Sequence, residues 1–220
     1  MKIIAHRGFS GKYAENTLLA FSKAIEAGAD GIETDLQLSL DGEIILFHDS
    51  NLKHLTGVDA KSESLTLKAL KKLYVNEVES IPTLDELLHL AEGKINLVLE
   101  VKYNPNTYKQ LCEILVSKIE NKLDWVEVSC FEDVVLAYVD TLNPDIKLHK
   151  LIEDSNILKD KKLEAEYDYV SYFDIDVTLR DMVLESGLMK RKKVIFWTVG
   201  KENLRLEIEA GLYGIMTNDV

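Results

Sequence analysis

Two periodicities alternate along this chain. Short apolar runs rich in β-branched residues predict strands over 2–5, 31–38, 43–47, 95–101, 126–130, 147–152, 169–172, 194–199 and 214–216. Between them apolar residues recur at i, i+3 and i+4, as Leu18, Phe21, Ala24 and Ile25 do. These stretches predict helices over 17–27, 65–73, 83–92, 107–121, 132–142, 154–166, 179–186 and 201–210. Such alternation builds βα units around a parallel sheet. Gly28 reads as the stop of the first helix, and Asn16 or Thr17 as its N-cap.

The strand count exceeds by one what an eight-stranded barrel uses, and Asp41-Gly42 accounts for the surplus. That dipeptide signals a two-residue hairpin, which joins antiparallel strands only. The run over 43–47 therefore folds back on the extension of the second strand. The expected fold is a single-domain (β/α)8 TIM barrel over residues 1–220, with a small hairpin excursion after strand 2. A doubly wound open sheet is the alternative. A two-residue loop would pair 40 with 43 and set Asp35 opposite His48. Thr217–Val220 ends the chain at the eighth strand, leaving no residues for a closing helix. That flank is expected to be exposed, lost through truncation, or covered by a neighbour such as a second copy in a homo-oligomer.

Composition sets limits around this fold. Lys+Arg 26 against Asp+Glu 38 gives a net charge of −12, which disfavours nucleic acid and a basic membrane-docking face. A small anionic substrate is compatible, since local cations or a bound metal can reverse the sign of a pocket. The apolar start at 1–5 is too short for a signal peptide, and no run is long enough to be a transmembrane segment. Cys112 and Cys130 form no metal-like or disulfide framework, so a cytoplasmic setting is expected. The cationic run Lys190–Lys193 reads as a solvated loop, and His89 and His149 as structural or solvated residues without an acidic partner.

Barrel active sites lie at the carboxyl ends of the strands. There the chain carries His6-Arg7, then Glu33 and Asp35 two apart and so on one face, then Glu100 and Lys102, also on one face. The excursion returns His48 to the same mouth. Three close carboxylates repel one another unless a cation joins them. An all-oxygen set suits a hard divalent ion, Mg²⁺ or Ca²⁺, with Mn²⁺ a further option. Histidines are poor ligands for such ions, which leaves His6 and His48 for proton transfer. Arg7 and Lys102 can face an anionic oxygen. Together these groups point to phosphoryl chemistry on a small ester.

The residues carrying this pattern are His6-Arg7-Gly8, Glu15-Asn16-Thr17, Glu33-Thr34-Asp35, His48-Asp49, Leu99-Glu100-Val101-Lys102, Trp197-Thr198-Val199 and Gly214–Asn218. In this order, over nearly the whole chain, the sequence resembles the glycerophosphodiester phosphodiesterase family. The resemblance implies a metal-dependent barrel enzyme that splits a glycerophosphodiester, such as glycerophosphocholine or glycerophosphoethanolamine, into sn-glycerol 3-phosphate and an alcohol. It implies metal ligands Glu33, Asp35 and Glu100, catalytic His6 and His48, phosphate contacts from Arg7 and Lys102, and Trp197 at the glycerol end. Three positions depart from the family pattern: His54 stands where an arginine is frequent, Gly200 where an asparagine is usual, and Cys130 in place of a serine. The alternatives are hydrolysis of a lysophospholipid, or a catalytically silent barrel that only binds.

Overall fold

The computed structural model describes residues 1–160, 162–200 and 211–220. Its strands are β1 (Lys2–His6), β2 (Gly31–Leu38), β3 (Ile44–Leu46), β4 (Tyr74–Val75), β5 (Glu79–Ser80), β6 (Asn96–Val101), β7 (Val126–Cys130), β8 (Leu148–Ile152), β9 (Tyr172–Asp176), β10 (Lys193–Trp197) and β11 (Gly214–Thr217). The main sheet runs β1-β11-β10-β9-β8-β7-β6-β2-β3, and β1 also pairs with β2. That extra pairing closes eight parallel strands into a barrel, so the open doubly wound alternative is excluded. Within this sheet, among the described residues, β3 alone is antiparallel, laid against the end of β2.

Between the strands lie α1 (Leu18–Ala27), α2 (Lys53–Thr56), α3 (Leu67–Leu70), α4 (Leu84–Ala91), α5 (Tyr108–Ile119), α6 (Asp133–Leu142), α7 (Ser155–Lys159), α8 (Leu163–Glu166) and α9 (Arg180–Ser186). Capping explains where α1 begins and ends. Thr17 accepts the Ala20 N–H, and Gly28, left-handed at φ 82°, returns its N–H to Ala24 and Ile25. α4 starts with a complete capping box between Thr83 and Glu86. The helices pack on the outward strand residues as one large apolar layer. Ile4, Val98, Tyr172, Ile195 and Met216 fill the inside of the barrel. Among the described residues, no helix is long and apolar enough to cross a membrane.

Several expected boundaries move. The helix expected over 65–73 contracts to α3, and the one over 154–166 is two short helices, α7 and α8. The helix expected over 201–210 falls outside the described residues. The strand expected over 169–172 runs instead from Tyr172 to Asp176. Asp174 looks like a loop residue in the sequence, yet it is buried because His149 meets it inside the barrel.

The hairpin needs a correction with consequences for the site. Leu36 faces Leu46 and Leu38 faces Ile44, so the loop has three residues, Leu40-Asp41-Gly42, and the register slips by one. Gly42 N–H bonds to Ser39 O, Gly42 takes φ 82°, and the Ser39 hydroxyl bonds to Asp41 at 2.7 Å. A turn closed by a left-handed glycine is the usual three-residue solution. Phe47, not His48, then stands at Asp35, with its N–H on the Asp35 carbonyl. The rest of the excursion has a small core of its own, Ile45, Phe47, Leu52, Leu70, Val75 and Ile81, roofed by the β4–β5 ribbon.

Candidate active site

Strand register brings the acidic residues together. His6 lies beside Glu33 on neighbouring strands, and Asp35 beside Glu100. All four point into the barrel at its carboxyl end. Glu33, Asp35 and Glu100 each offer an oxygen within 4.8 Å of the others. Asp35 is 1% exposed. Burial, with the charges of Asp35 and Glu100 beside it, pushes Glu33 well above the usual carboxylate range. Burial and Asp35 lift Glu100 to about 7. Asp35 is the member held low: burial works against it, but Lys102 and Arg7 prevail. Lys102 Nζ is 2.8 Å from Glu100 and 3.5 Å from Asp35, while Arg7 Nε is 3.5 Å from Asp35.

The donor set fits a hard cation on two grounds. It is all oxygen, and among the described residues Asp35 Oδ1 is buried with no hydrogen-bond partner. Ser129 Oγ, beside Glu100 in the ladder, likewise has no hydrogen bond, and Arg7 Nε has only its ion pair with Asp35. Counted with all three carboxylates ionised, against Arg7 and Lys102, the cluster carries one negative charge. A divalent ion would make it one charge positive, the sign that receives a phosphodiester.

Residues 6–220 match the Glycerophosphoryl diester phosphodiesterase family. The chain belongs to that family. Membership makes it a phosphodiester hydrolase. It is 33% identical over 231 residues to a glycerophosphodiester phosphodiesterase of Caldanaerobacter subterraneus subsp. tengcongensis, covering 99% of this chain and 93% of that one. The glycerophosphodiester phosphodiesterase of Thermotoga maritima superposes with a TM-score of 0.82 at 28% identity, covering 99% and 94%. A phosphodiesterase of Oleispira antarctica, solved in complex with the product sn-glycerol-3-phosphate, shares the fold with a TM-score of 0.84 at 24% identity, covering 99% and 93%.

Within this glycerophosphoryl diester phosphodiesterase fold both expected histidines are pinned through Nδ1. His6 Nδ1–H donates to Asn218 Oδ1 at 2.8 Å, so its Nε2, 3.8 Å from Glu33, carries the lone pair. Burial, reinforced by Arg7, lowers His6 to about 4 and keeps the ring neutral. His48 Nδ1 meets Asp49 Oδ1 at 2.9 Å. The Asp49 carboxyl is raised by partial burial but held below its ordinary range by His48 and His54. His54, the departure from the family pattern, therefore sits on the same carboxylate, at 3.3 Å.

Four positioning residues escaped the sequence reading. Gln37 explains how His48 is held despite the slipped register: its amide Nε2 lies 2.7, 3.2 and 2.9 Å from the carbonyls of Phe47, His48 and Asp49, while its Oε1 accepts from Ser62. Asn16, 1% exposed, donates to Asp35 Oδ2 at 2.9 Å and accepts from Thr34 at 2.7 Å. Glu15 takes Arg7 Nη1 at 3.0 Å, and Asn218 holds His6. The available signal was adjacency, since all but Gln37 lie inside the motifs already quoted. Trp197 stands elsewhere on the rim, its indole donating to Asp174 O at 3.0 Å and meeting Phe131 edge-on.

Proposed function

We propose that this chain hydrolyses glycerophosphodiesters to sn-glycerol 3-phosphate and an alcohol, with a divalent cation held by Glu33, Asp35 and Glu100. The observation that carries the reading is the buried Asp35 Oδ1, without a hydrogen bond and with only the Lys102 ammonium at 3.5 Å, among three converging carboxylates flanked by two cations and two pinned imidazoles. When bound, such an ion supplies Lewis-acid polarisation of a phosphoryl oxygen. Mg²⁺ and Ca²⁺ suit the oxygen donors best, and Mn²⁺ is a third option.

Arg7 and Lys102 bind the phosphate oxygens that point away from the acids, and Arg7 does so with a guanidinium already braced by Glu15. His6, neutral with its lone pair on Nε2, accepts the proton of the nucleophile. His48 returns a proton to the departing alkoxide, with Asp49 as counter-charge to its protonated ring. Trp197 lines the side that takes glycerol. A reducing, cytoplasmic setting belongs to the same reading, supported by two buried, unpaired thiols whose burial pushes each up to about 12.

The deciding experiment is a panel of Mg²⁺, Ca²⁺ and Mn²⁺ against several glycerophosphodiesters, with release of glycerol 3-phosphate as readout. Turnover restored to EDTA-stripped protein by at least one ion supports the reading. Undiminished turnover after stripping removes the metal from it, and absence of turnover on every diester removes the activity.

A further inference from the structure

A cavity of about 1020 Å³ opens beside His48 and Lys102 and runs between the 48–63 excursion and the 102–107 loop. It excludes Arg7, His6 and Trp197 from its lining. A phosphodiester has two organic arms. With glycerol on the Trp197 side, this cavity receives the other arm, the alcohol that leaves.

Its walls discriminate among alcohols. The carboxylates there are already engaged: Asp49 by His48 and His54, and Glu63 by Asn104 at 2.8 Å. Lys53 is taken by Asp59 at 3.1 Å. Among the described residues the side chains of Ser50, Lys61 and Asn106 make no hydrogen bond or ion pair, which leaves a cation, an amide and a hydroxyl free to meet a ligand. A cationic amino alcohol would find Asp49 already shared by two imidazoles, Glu63 already tied to Asn104, and one Phe, Tyr or Trp face, Tyr103, where quaternary ammonium groups are usually caged by several. An acyl chain would find little apolar wall, since Leu38 and Leu111 are buried at 4% and 2% exposure. Donors that need oxygen acceptors, with a free positive charge among them, match an oxygen-rich alcohol of neutral or negative charge.

We infer that the leaving group this chain accepts is a polyhydroxylated alcohol, neutral or anionic, recognised by Ser50, Lys61 and Asn106. The inference rests on the proposed hydrolysis of glycerophosphodiesters. It is tested by kcat/KM on glycerophosphoglycerol, glycerophosphoinositol, glycerophosphocholine, glycerophosphoethanolamine and a lysophosphatidylcholine, for the unmodified chain and for Lys61→Glu. The expected result is a preference of about tenfold or more for the two polyol esters. Lys61→Glu, which reverses the free charge, should narrow that ratio several-fold through KM while glycerol 3-phosphate is still formed. Equal or better use of the choline, ethanolamine or lysophospholipid substrate overturns the inference, as does a ratio that Lys61→Glu leaves unmoved. Failure on all five substrates instead overturns the hydrolytic reading beneath it.

Discussion

Two clusters of buried charge share the inside of this barrel and are built on opposite plans. At the mouth, Glu33, Asp35 and Glu100 outnumber Arg7 and Lys102, and Asp35 Oδ1 is left without a hydrogen bond. Deeper in, His149 is fully buried between Asp174 and Glu127, both at 2.9 Å, and its ring stacks on Tyr172. Tyr172 and Lys147 complete the Glu127 carboxylate. Burial alone would strip His149 of its proton, but Asp174 and Glu127 raise it to about 9. His6 at the mouth, with an amide on Nδ1 and a guanidinium nearby, goes the other way to about 4. The contrast separates a site that awaits a ligand from a network already closed on itself. Burial of charge is common to both, and completeness of pairing distinguishes them.

The sharpest way to break this comparison is to remove a histidine from each cluster. His6→Ala or His48→Ala should cost about 10²–10⁴ in kcat while leaving urea unfolding nearly unchanged. Near-normal turnover in either variant would place the proton traffic elsewhere. His149→Ala should do the reverse, lowering stability by about 3–5 kcal/mol because it strands two carboxylates in the barrel. Carboxylate-to-amide swaps sharpen the point through their sign. In metal-free protein near pH 8, Glu33→Gln should raise the urea midpoint by relieving repulsion, whereas Asp174→Asn should lower it. Like signs for the two swaps would show that the clusters are one.

The mouth was legible in the sequence because its residues lie at strand ends, where two-residue spacing fixes a shared face and the excursion supplies the second imidazole. The barrel was legible from a plainer pattern: eight short β-branched apolar runs, separated by helical period, leave few topologies. The His149 network was not, and the cause is physical. Glu127, His149 and Asp174 come from three successive, paired strands, β7, β8 and β9, some twenty residues apart in sequence, so no local spacing announces them. Asp174 in a strand reads as a breaker until its partner is known. The hairpin slip has a similar origin, since Asp41-Gly42 fits a two-residue or a three-residue turn. Ser39, bonded to Asp41 and to the Glu43 N–H, selects the longer one. His48 still reaches the mouth because Gln37 gathers the backbone of residues 47–49, a contact invisible to register arithmetic.

Acidity gives a third way to separate the clusters. His149 has its folded pKa raised from 6.5 to about 9, so its contribution to stability is complete below 6.5 and is lost as pH climbs through 9. His6 is lowered to about 4, so the unfolded chain binds its proton more readily and stability falls as pH drops from 6.5 toward 4. Urea midpoints from pH 6 to 9.5 should therefore decline in the unmodified chain and less in His149→Gln, where only the raised Glu33 and Glu100 of the mouth still contribute. A decline of equal size in that variant would deny His149 its charge.

The smallest expected effect concerns how the mouth keeps one carboxylate oxygen clear of hydrogen bonds. Asn16 holds Asp35 Oδ2 and receives Thr34, and its own backbone sits at φ 54°, a left-handed conformation that asparagine tolerates better than alanine. Asn16→Ala removes a donor and an acceptor from two buried partners and adds backbone strain, for about 1–3 kcal/mol in all. Asn16→Gly removes the same amide but accepts the backbone angle, so the difference between the two variants isolates the strain. If the amide chooses which Asp35 oxygen faces an ion, both variants should weaken Mg²⁺ or Mn²⁺ binding in calorimetry, by about tenfold for each 1.4 kcal/mol lost. An unchanged affinity in Asn16→Gly would reduce Asn16 to a loop anchor, and the oxygen without a hydrogen bond at the mouth would then owe nothing to it.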